Sequence, residues 1–405
     1  MFLGVRWQST GRESPVGFPR IRTVLFTVLL FAVCSALAAT PGRALPLFAR
    51  KYNLQCTTCH FAFPRLNAFG RAFRQNGYRM AGALGNSPWE EKEVPVSFVA
   101  DVGYDYNHLL IPAHGVIAEF KANTSAFQQN AVELHTAGTL APHVTFHLDS
   151  DFEGVGGSLE SGMAFVQLDD LAKNGALNVK AGIYDGDIPF LAASRTLTHH
   201  EYLFPLTFDA QGIELNGTHT GWTYAVAMIN SQRTVGKPTD TTLNTFEDPY
   251  AWLMRDIGGH ELAARILLDR QDPRAAGVRS SDRTQVDLSA LINLSRAMIT
   301  PAFSYEKHDD PDVDHPGKRD TGMLEANVLL DSASKWVLTG RYEIQHTPAD
   351  NALLLPERDQ HVTAANLSYY VNPNARIALD FSRDVSNHDD EPRVSDVQAF
   401  IHIGY

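Results

Sequence analysis

The sequence predicts an all-β transmembrane barrel of the outer-membrane type, with about 16 antiparallel strands and a small N-terminal helical segment as its plug. Three observations predict it. From Val94 onward apolar and polar residues alternate with a period of two, the pattern of strands with one apolar face. Short turns then alternate with long polar loops along the same stretch. Finally, the inward positions are polar too often for the core of a soluble β-sandwich, whereas a barrel lumen accepts them. A large soluble β domain is the alternative.

The order of elements starts with a leader. Arg20 and Arg22 precede the apolar run TVLLFAVCSALAA, and small residues follow at Ala36, Ala38, Ala39 and Ala44. That is the order of a secretory signal, so residues 1–44 read as a signal peptide cleaved after Ala38 or Ala44. A signal anchor is the alternative, but the run is shorter than the roughly 20 residues a spanning helix needs. The whole chain of 405 residues has a formal net charge of −12. A surface of that sign is not built to neutralise phosphates, so nucleic acid is not an expected partner.

Residues 45–93 carry the one concentrated motif, C-T-T-C-H at 56–60, in a chain with only three cysteines. Thiols at i and i+3 followed by histidine suit two thioether bonds to a haem, with the imidazole reaching the iron. Cys56 and Cys59 are therefore expected to attach one covalent haem c and His60 to ligate its iron. A short disulfide or a thioredoxin-like redox pair would use the cysteines but leave His60 unexplained. Downstream, Leu66, Phe69 and Phe73 recur at helical spacing and Asn76-Gly77 supplies a stop, which predicts an amphipathic helix over Pro64–Gln75. Arg65, Arg71 and Arg74 lie off its stripe, where they either pair with haem propionates or face solvent. Met80 is the nearest candidate for a sixth ligand, packing being its ordinary role. The segment is close to the lower size limit for independent folding, so it is expected to dock within the barrel from the periplasmic end.

Residues 94–405 supply the barrel. Val96, Phe98, Ala100, Val102, Tyr104 and Tyr106 form one face of the first strand, opposite Ser97, Asp101, Gly103 and Asp105. In WVLTGRYEI, Trp336, Leu338, Tyr342 and Ile344 oppose Thr339, Arg341 and Glu343. QVDLSALINL at 285–294 is a third example. Turns are expected at Ala141-Pro142, 173–175, 217–221, Gly258-Gly259, Ser295-Arg296, 332–334 and 372–374. Long loops are expected at about 107–130, 153–161, 185–210, 230–248, 270–283, 307–321, 347–359 and 385–393. The last strand, DVQAFIHIGY, alternates to a terminal Tyr405, an interfacial aromatic.

Around the Ala141-Pro142 turn, Glu133, His135, His147 and Asp149 fall on the inward side, with His135 expected opposite His147 and Glu133 opposite Asp149. These four can supply a distal haem ligand or hold a divalent cation; ordinary polar lining is the alternative. The acidic, histidine-bearing stretches at 307–320 and 387–396 suit a cationic donor.

The stretch LPLFARKYNLQCTTCHFAFPRLNAFGRAFRQNGY, followed by a barrel-length β region containing KAGIYDGDIPF and a terminal aromatic, resembles the outer-membrane fused monohaem cytochrome c-porin family of iron-oxidising type. The resemblance spans essentially the whole mature chain. It implies electron transfer across the outer membrane, from extracellular Fe(II) or a similar donor to a periplasmic c-type cytochrome, with Cys56, Cys59 and His60 as haem residues. The second reading is a solute-conducting porin whose haem-bearing segment is a sensor or structural plug.

Overall fold

The structure, a computed structural model, describes residues 47–62, 65–80, 96–111, 120–152, 159–192, 202–205, 209–230, 248–271, 281–309, 317–349, 357–372, 375–386 and 393–404. The expected signal peptide, Pro64, residues 81–93 and Tyr405 lie outside these.

The N-terminal segment comprises α1 (Leu47–Tyr52), α2 (Cys56–Cys59), β1 (His60–Ala62), β2 (Arg65–Leu66) and α3 (Ala68–Gln75). The helix expected from Pro64 begins instead at Ala68. Asn67 is the reason: it is extended and its side chain caps Gly70 N, while Arg65 and Leu66 pair with β1 in a two-stranded ladder. A good N-cap at a polar residue outcompetes the apolar period upstream of it.

Sixteen strands then form one closed antiparallel barrel. The first eight are β3 (Val96–Ile111), β4 (Phe120–Ala141), β5 (Val144–Phe152), β6 (Leu159–Ala172), β7 (Leu177–Asp185), β8 (Asp209–His219), β9 (Trp222–Asn230) and β10 (Asp248–Ile257). The rest are β11 (His260–Gln271), β12 (Ser281–Asn293), β13 (Ala297–His308), β14 (Lys318–Leu329), β15 (Trp336–Thr347), β16 (Arg358–Asn372), β17 (Ala375–Asp384) and β18 (Arg393–Gly404). Each strand pairs with the next in sequence, and β18 closes on β3 along a register from Arg393↔Leu110 to Gly404↔Val99. His402 and Asp101 hydrogen-bond across this seam.

The short connections fall where the turn chemistry puts them. Between β10 and β11, Gly258 and Gly259 both have positive φ, 63° and 87°, as a tight two-residue hairpin requires. Some loop expectations differ: residues 107–111 and 120–130 are strand, because β3 and β4 continue their ladder through Asn107↔Thr124 and His108↔Asn123 up to Ile111↔Phe120. Ladder hydrogen bonds need no apolar pattern, and Asn123 Oδ1 accepts from the Tyr106 hydroxyl at 3.1 Å. The stretch at 307–320 is also shorter as a loop, since Lys307 and His308 end β13 and Lys318 opens β14.

The outer wall is apolar and uncovered. Val102, Leu288, Leu324 and Val226 are each more than half exposed, and Trp336, Leu338, Tyr342 and Ile344 all point outward as expected. A belt of this extent belongs in hydrocarbon, not water. The inward side is not uniformly polar. Beside a buried ionic layer, it holds an apolar core in which Ile229, Tyr250, Leu267, Leu291 and Met298 of the wall enclose Ile188, Phe190, Leu191 and Phe204. Those four belong to the connection between β7 and β8, whose short helix α4 spans Pro189–Ala192. The expectation of a polar-lined lumen is thus corrected: this connection folds inward and fills part of it.

Candidate functional site

The C-T-T-C-H motif occupies α2 and the first residue of β1. One helical turn puts positions 56 and 59 on a common face, and His60 follows where the chain turns extended. Cys59 and His60 are both partly exposed.

Asn67 fastens this turn to α3. Its backbone N–H donates to the Cys59 carbonyl at 2.9 Å, and its side-chain amide donates to the Thr58 carbonyl at 3.0 Å and the Thr57 carbonyl at 3.3 Å. Its Oδ1 accepts from Gly70 N at 3.0 Å. Gly70 is needed for the approach: a Cβ there would stand 2.1 Å from the Cys59 carbonyl oxygen. Helix and motif are therefore in backbone contact.

The arginines around α3 face wall carboxylates rather than solvent. Arg65 is fully buried and donates to Glu325 of β14 at 2.9 Å and to Thr300 of β13 at 2.8 Å. Glu325 also accepts from Arg341 of β15. Arg71, likewise buried, pairs with Glu261 of β11 and donates to the Leu66 carbonyl at 2.8 Å. Arg74 reaches Asp185 of β7 at 2.7 Å. A fourth arginine, Arg79, lies 3.1 Å from Asp170 and 3.6 Å from Asp169 of β6. The guanidinium fork matches carboxylates bidentately and keeps its charge when buried, so wall carboxylates, not solvent, take these side chains.

The apolar stripe lies partly where it was expected. Phe73 is buried with Tyr78 and Ala137, and Phe48, Tyr52 and Met80 pack on them. Phe48 stacks on Tyr78 at 4.7 Å, and burial pushes the Tyr78 phenol up, keeping it neutral. Leu66, Phe69, Phe73 and Met80 line a cavity of about 700 Å³ between α3 and the wall. Cys59 and His60 do not line it, but Leu66 pairs directly with His60 and so joins motif to cavity. Met80 is a packing residue here, at the opposite end of α3 from the motif.

The four inward residues of β4 and β5 do come together, with a shifted register. His135 faces Asp149 and Glu133 faces Asp151, while His147 faces Ala137. The expected His135–His147 and Glu133–Asp149 pairs are each two residues out: the turn is centred on Pro142-His143, with Ala141 facing Val144, and the irregularity between Thr139 and Ala141 takes back only one of the three residues of that offset. The rings of His135 and His147 are nevertheless 6.2 Å apart. His147 stacks on Tyr78 at 5.4 Å, at the end of the segment away from Cys59.

No family model matches the chain, and no curated protein matches it in sequence. Among solved structures, the outer-membrane channel DcaP of Acinetobacter baumannii aligns at 12% identity over 76% of this chain and 97% of its own, with a TM-score of 0.53. The OmpF of Salmonella typhi, in complex with daunomycin, aligns at 9% identity over 76% and 97%, TM-score 0.52. The fold is that of an outer-membrane porin. Pseudomonas putida OprB at high pH is similar again, at 11% identity over 77% and 94%, with a TM-score of 0.50. At these identities the porin likeness concerns the barrel architecture.

Missed by the sequence reading were Asn67, Gly70, Arg79 and the β7–β8 connection. Asn67 had a legible signal, a capping residue three before Gly70. Arg79 had none, since its partners lie some 90 residues away on β6.

Proposed function

We propose that the chain is an outer-membrane electron-transfer protein in which Cys56, Cys59 and His60 hold one covalent haem c. It takes electrons from an extracellular donor such as Fe(II) and passes them to a periplasmic c-type cytochrome. The observation that carries the reading is the way the C-T-T-C-H turn is fastened, through Asn67 and Gly70, to a segment whose arginines bind the inner barrel wall.

The residues fit the group by their chemistry. Two thiols at one helical turn and an adjacent imidazole are the donor set for thioether attachment and axial ligation, and Leu66 next to His60 leads to a cavity with Phe69 and Phe73 on its α3 side and charged residues such as Asp185, Lys180 and Glu214 on its wall side. When bound, a haem c supplies a one-electron Fe(III)/Fe(II) couple. The chain's own part is to attach it, to orient His60 through the β1–β2 ladder and to keep water from its apolar side with Leu66, Phe69 and Phe73.

The runner-up, a solute-conducting porin, asks for an open lumen. The inward-folded β7–β8 connection and the docked N-terminal segment both occupy that space, which favours electron passage over solute passage. Purified protein should keep a haem-stained band after denaturation, lose it with Cys59→Ala, and give a reduced spectrum when Fe(II) is added. Haem extracted by acid-acetone from the wild-type protein sinks the covalent assignment, and liposomes that leak small sugars without electron exchange favour the runner-up.

A further inference from the structure

We infer that His135, His147 and Asp149 form a binding site for a first-row divalent transition-metal ion on the inner wall, with Glu133 as its outer support. One ligand atom from each of the three lies within 4.8 Å of the others. Two metal–ligand bonds of about 2.1 Å span at most about 4.2 Å, so small side-chain rotations close the set.

The carboxylate is already divided between two tasks. Asp149 Oδ1 accepts a hydrogen bond from the Met163 backbone N–H, which fixes the group. Its Oδ2 faces both imidazoles, 3.2 Å from His147 Nε2 and 3.7 Å from His135 Nδ1. His135 is oriented from behind: its Nε2 lies 2.8 Å from Glu133 Oε2. With the proton on Nε2, Glu133 accepts it and Nδ1 presents a lone pair toward Asp149. A metal ion or a proton placed between that lone pair and the carboxylate oxygen relieves their repulsion. The carboxylate–histidine–metal relay has this form, the outer carboxylate setting the tautomer and raising ligand basicity.

His147 is also held. It is buried, and it stacks on Phe165 at 5.5 Å as well as on Tyr78. Charge agrees with geometry: two carboxylates and two neutral imidazoles are balanced by one divalent cation, and burial makes that balance matter. Two nitrogens and one carboxylate select Fe(II), Co(II) or Zn(II) over the oxygen-seeking Mg(II) and Ca(II). An ion there is held against Tyr78 of the motif-bearing segment.

The competing account is an imidazolium on His135 shared by Glu133 and Asp149, which binds no metal. The test uses the full chain in detergent, stripped with chelator and titrated with Co(II), reading its d–d absorption. The wild type should take up Co(II) at a single such site. Asp149→Asn and the double change His135→Ala with His147→Ala should abolish the bands, and Glu133→Gln should weaken binding about 10- to 100-fold. Heat-modifiable migration reports barrel integrity in each. If Asp149→Asn does not assemble, Glu133→Gln decides, and an unchanged affinity overturns the site. No Co(II) bands in the wild type, or bands indifferent to Asp149→Asn, overturn it as well. The same titration on Cys59→Ala separates the two readings: retained Co(II) bands in haem-depleted protein support the metal site whatever the fate of the haem.

Discussion

Among the described residues, two pieces of chain enter the barrel, and they hold on in different proportions of charge and apolar contact. The N-terminal segment arrives with charge: Arg65, Arg71, Arg74 and Arg79 meet Glu325, Glu261, Asp185 and Asp170. The β7–β8 connection arrives mainly with apolar side chains, Ile188, Phe190, Leu191 and Phe204, with one buried ion pair, Asp187 to Arg265 at 3.2 Å, and with backbone bonds. Leu203 N and Phe204 N donate to Glu343 at 2.6 and 2.8 Å, and the Pro205 carbonyl accepts from Arg265 at 3.1 Å. The connection is tethered at both ends by strands of the wall, so it packs with few directional pairs. The segment lies outside the ladder of the wall, and directional pairs select its position and orientation.

The largest effect should come from breaking the ionic filler alone. Glu325→Ala leaves Arg65 and Arg341 buried and facing each other, a change of about 3 to 5 kcal/mol. Trypsin, which cuts after arginine, should then cleave between residues 65 and 79 in the variant and spare the wild type. Breaking the apolar filler should leave that pattern intact. Phe190→Ala removes a fully buried ring for about 3 kcal/mol and should raise single-channel conductance while the segment stays trypsin-resistant. If Phe190→Ala releases the segment instead, the two fillers are one cooperative unit.

Smaller changes probe the motif's seat. Gly70→Ala forces a Cβ onto the Cys59 carbonyl and should cost about 1 to 3 kcal/mol locally, read as less covalent haem per barrel. Gly340→Ala is the control, since nothing lies within 4 Å of a Cβ there, and should have no effect. Asn67→Ala should cost about 1 kcal/mol through the lost cap. Asn67→Asp keeps an acceptor for Gly70 N but loses the donors to Thr57 and Thr58. If haem yield in Asn67→Asp equals that of the wild type, the tie to the motif carries no weight.

These contrasts also explain what was legible in the sequence. Strand number, turn positions and the outward faces of β3 and β15 were readable because lipid imposes one demand on every outward residue, so the pattern is local. The inward faces answer to distant partners. Nothing near Arg65 in the sequence names Glu325, and nothing in IPFL at 188–191 distinguishes an inward fold from an external loop. The histidine cluster lies between these cases. Its inward orientation followed from alternation around His147, while the facing pairs depended on a turn at Pro142-His143, later than the expected Ala141-Pro142, and on the irregularity beside Ala141 that partly offsets it.

The seam between β18 and β3 sets an order of events. Its partners, such as His402 and Asp101, are separated by 301 residues, whereas every other junction in the barrel joins consecutive strands. Contacts that close the longest loop carry the largest entropic cost and form late. The segment bearing Cys59 is made before every strand of the wall, yet it is sealed in only when the final strand arrives. On the reading proposed above, thioether formation belongs to the interval before that closure, so a maturation defect would be expected to strand an assembled but colourless barrel, with no route to repair it afterwards.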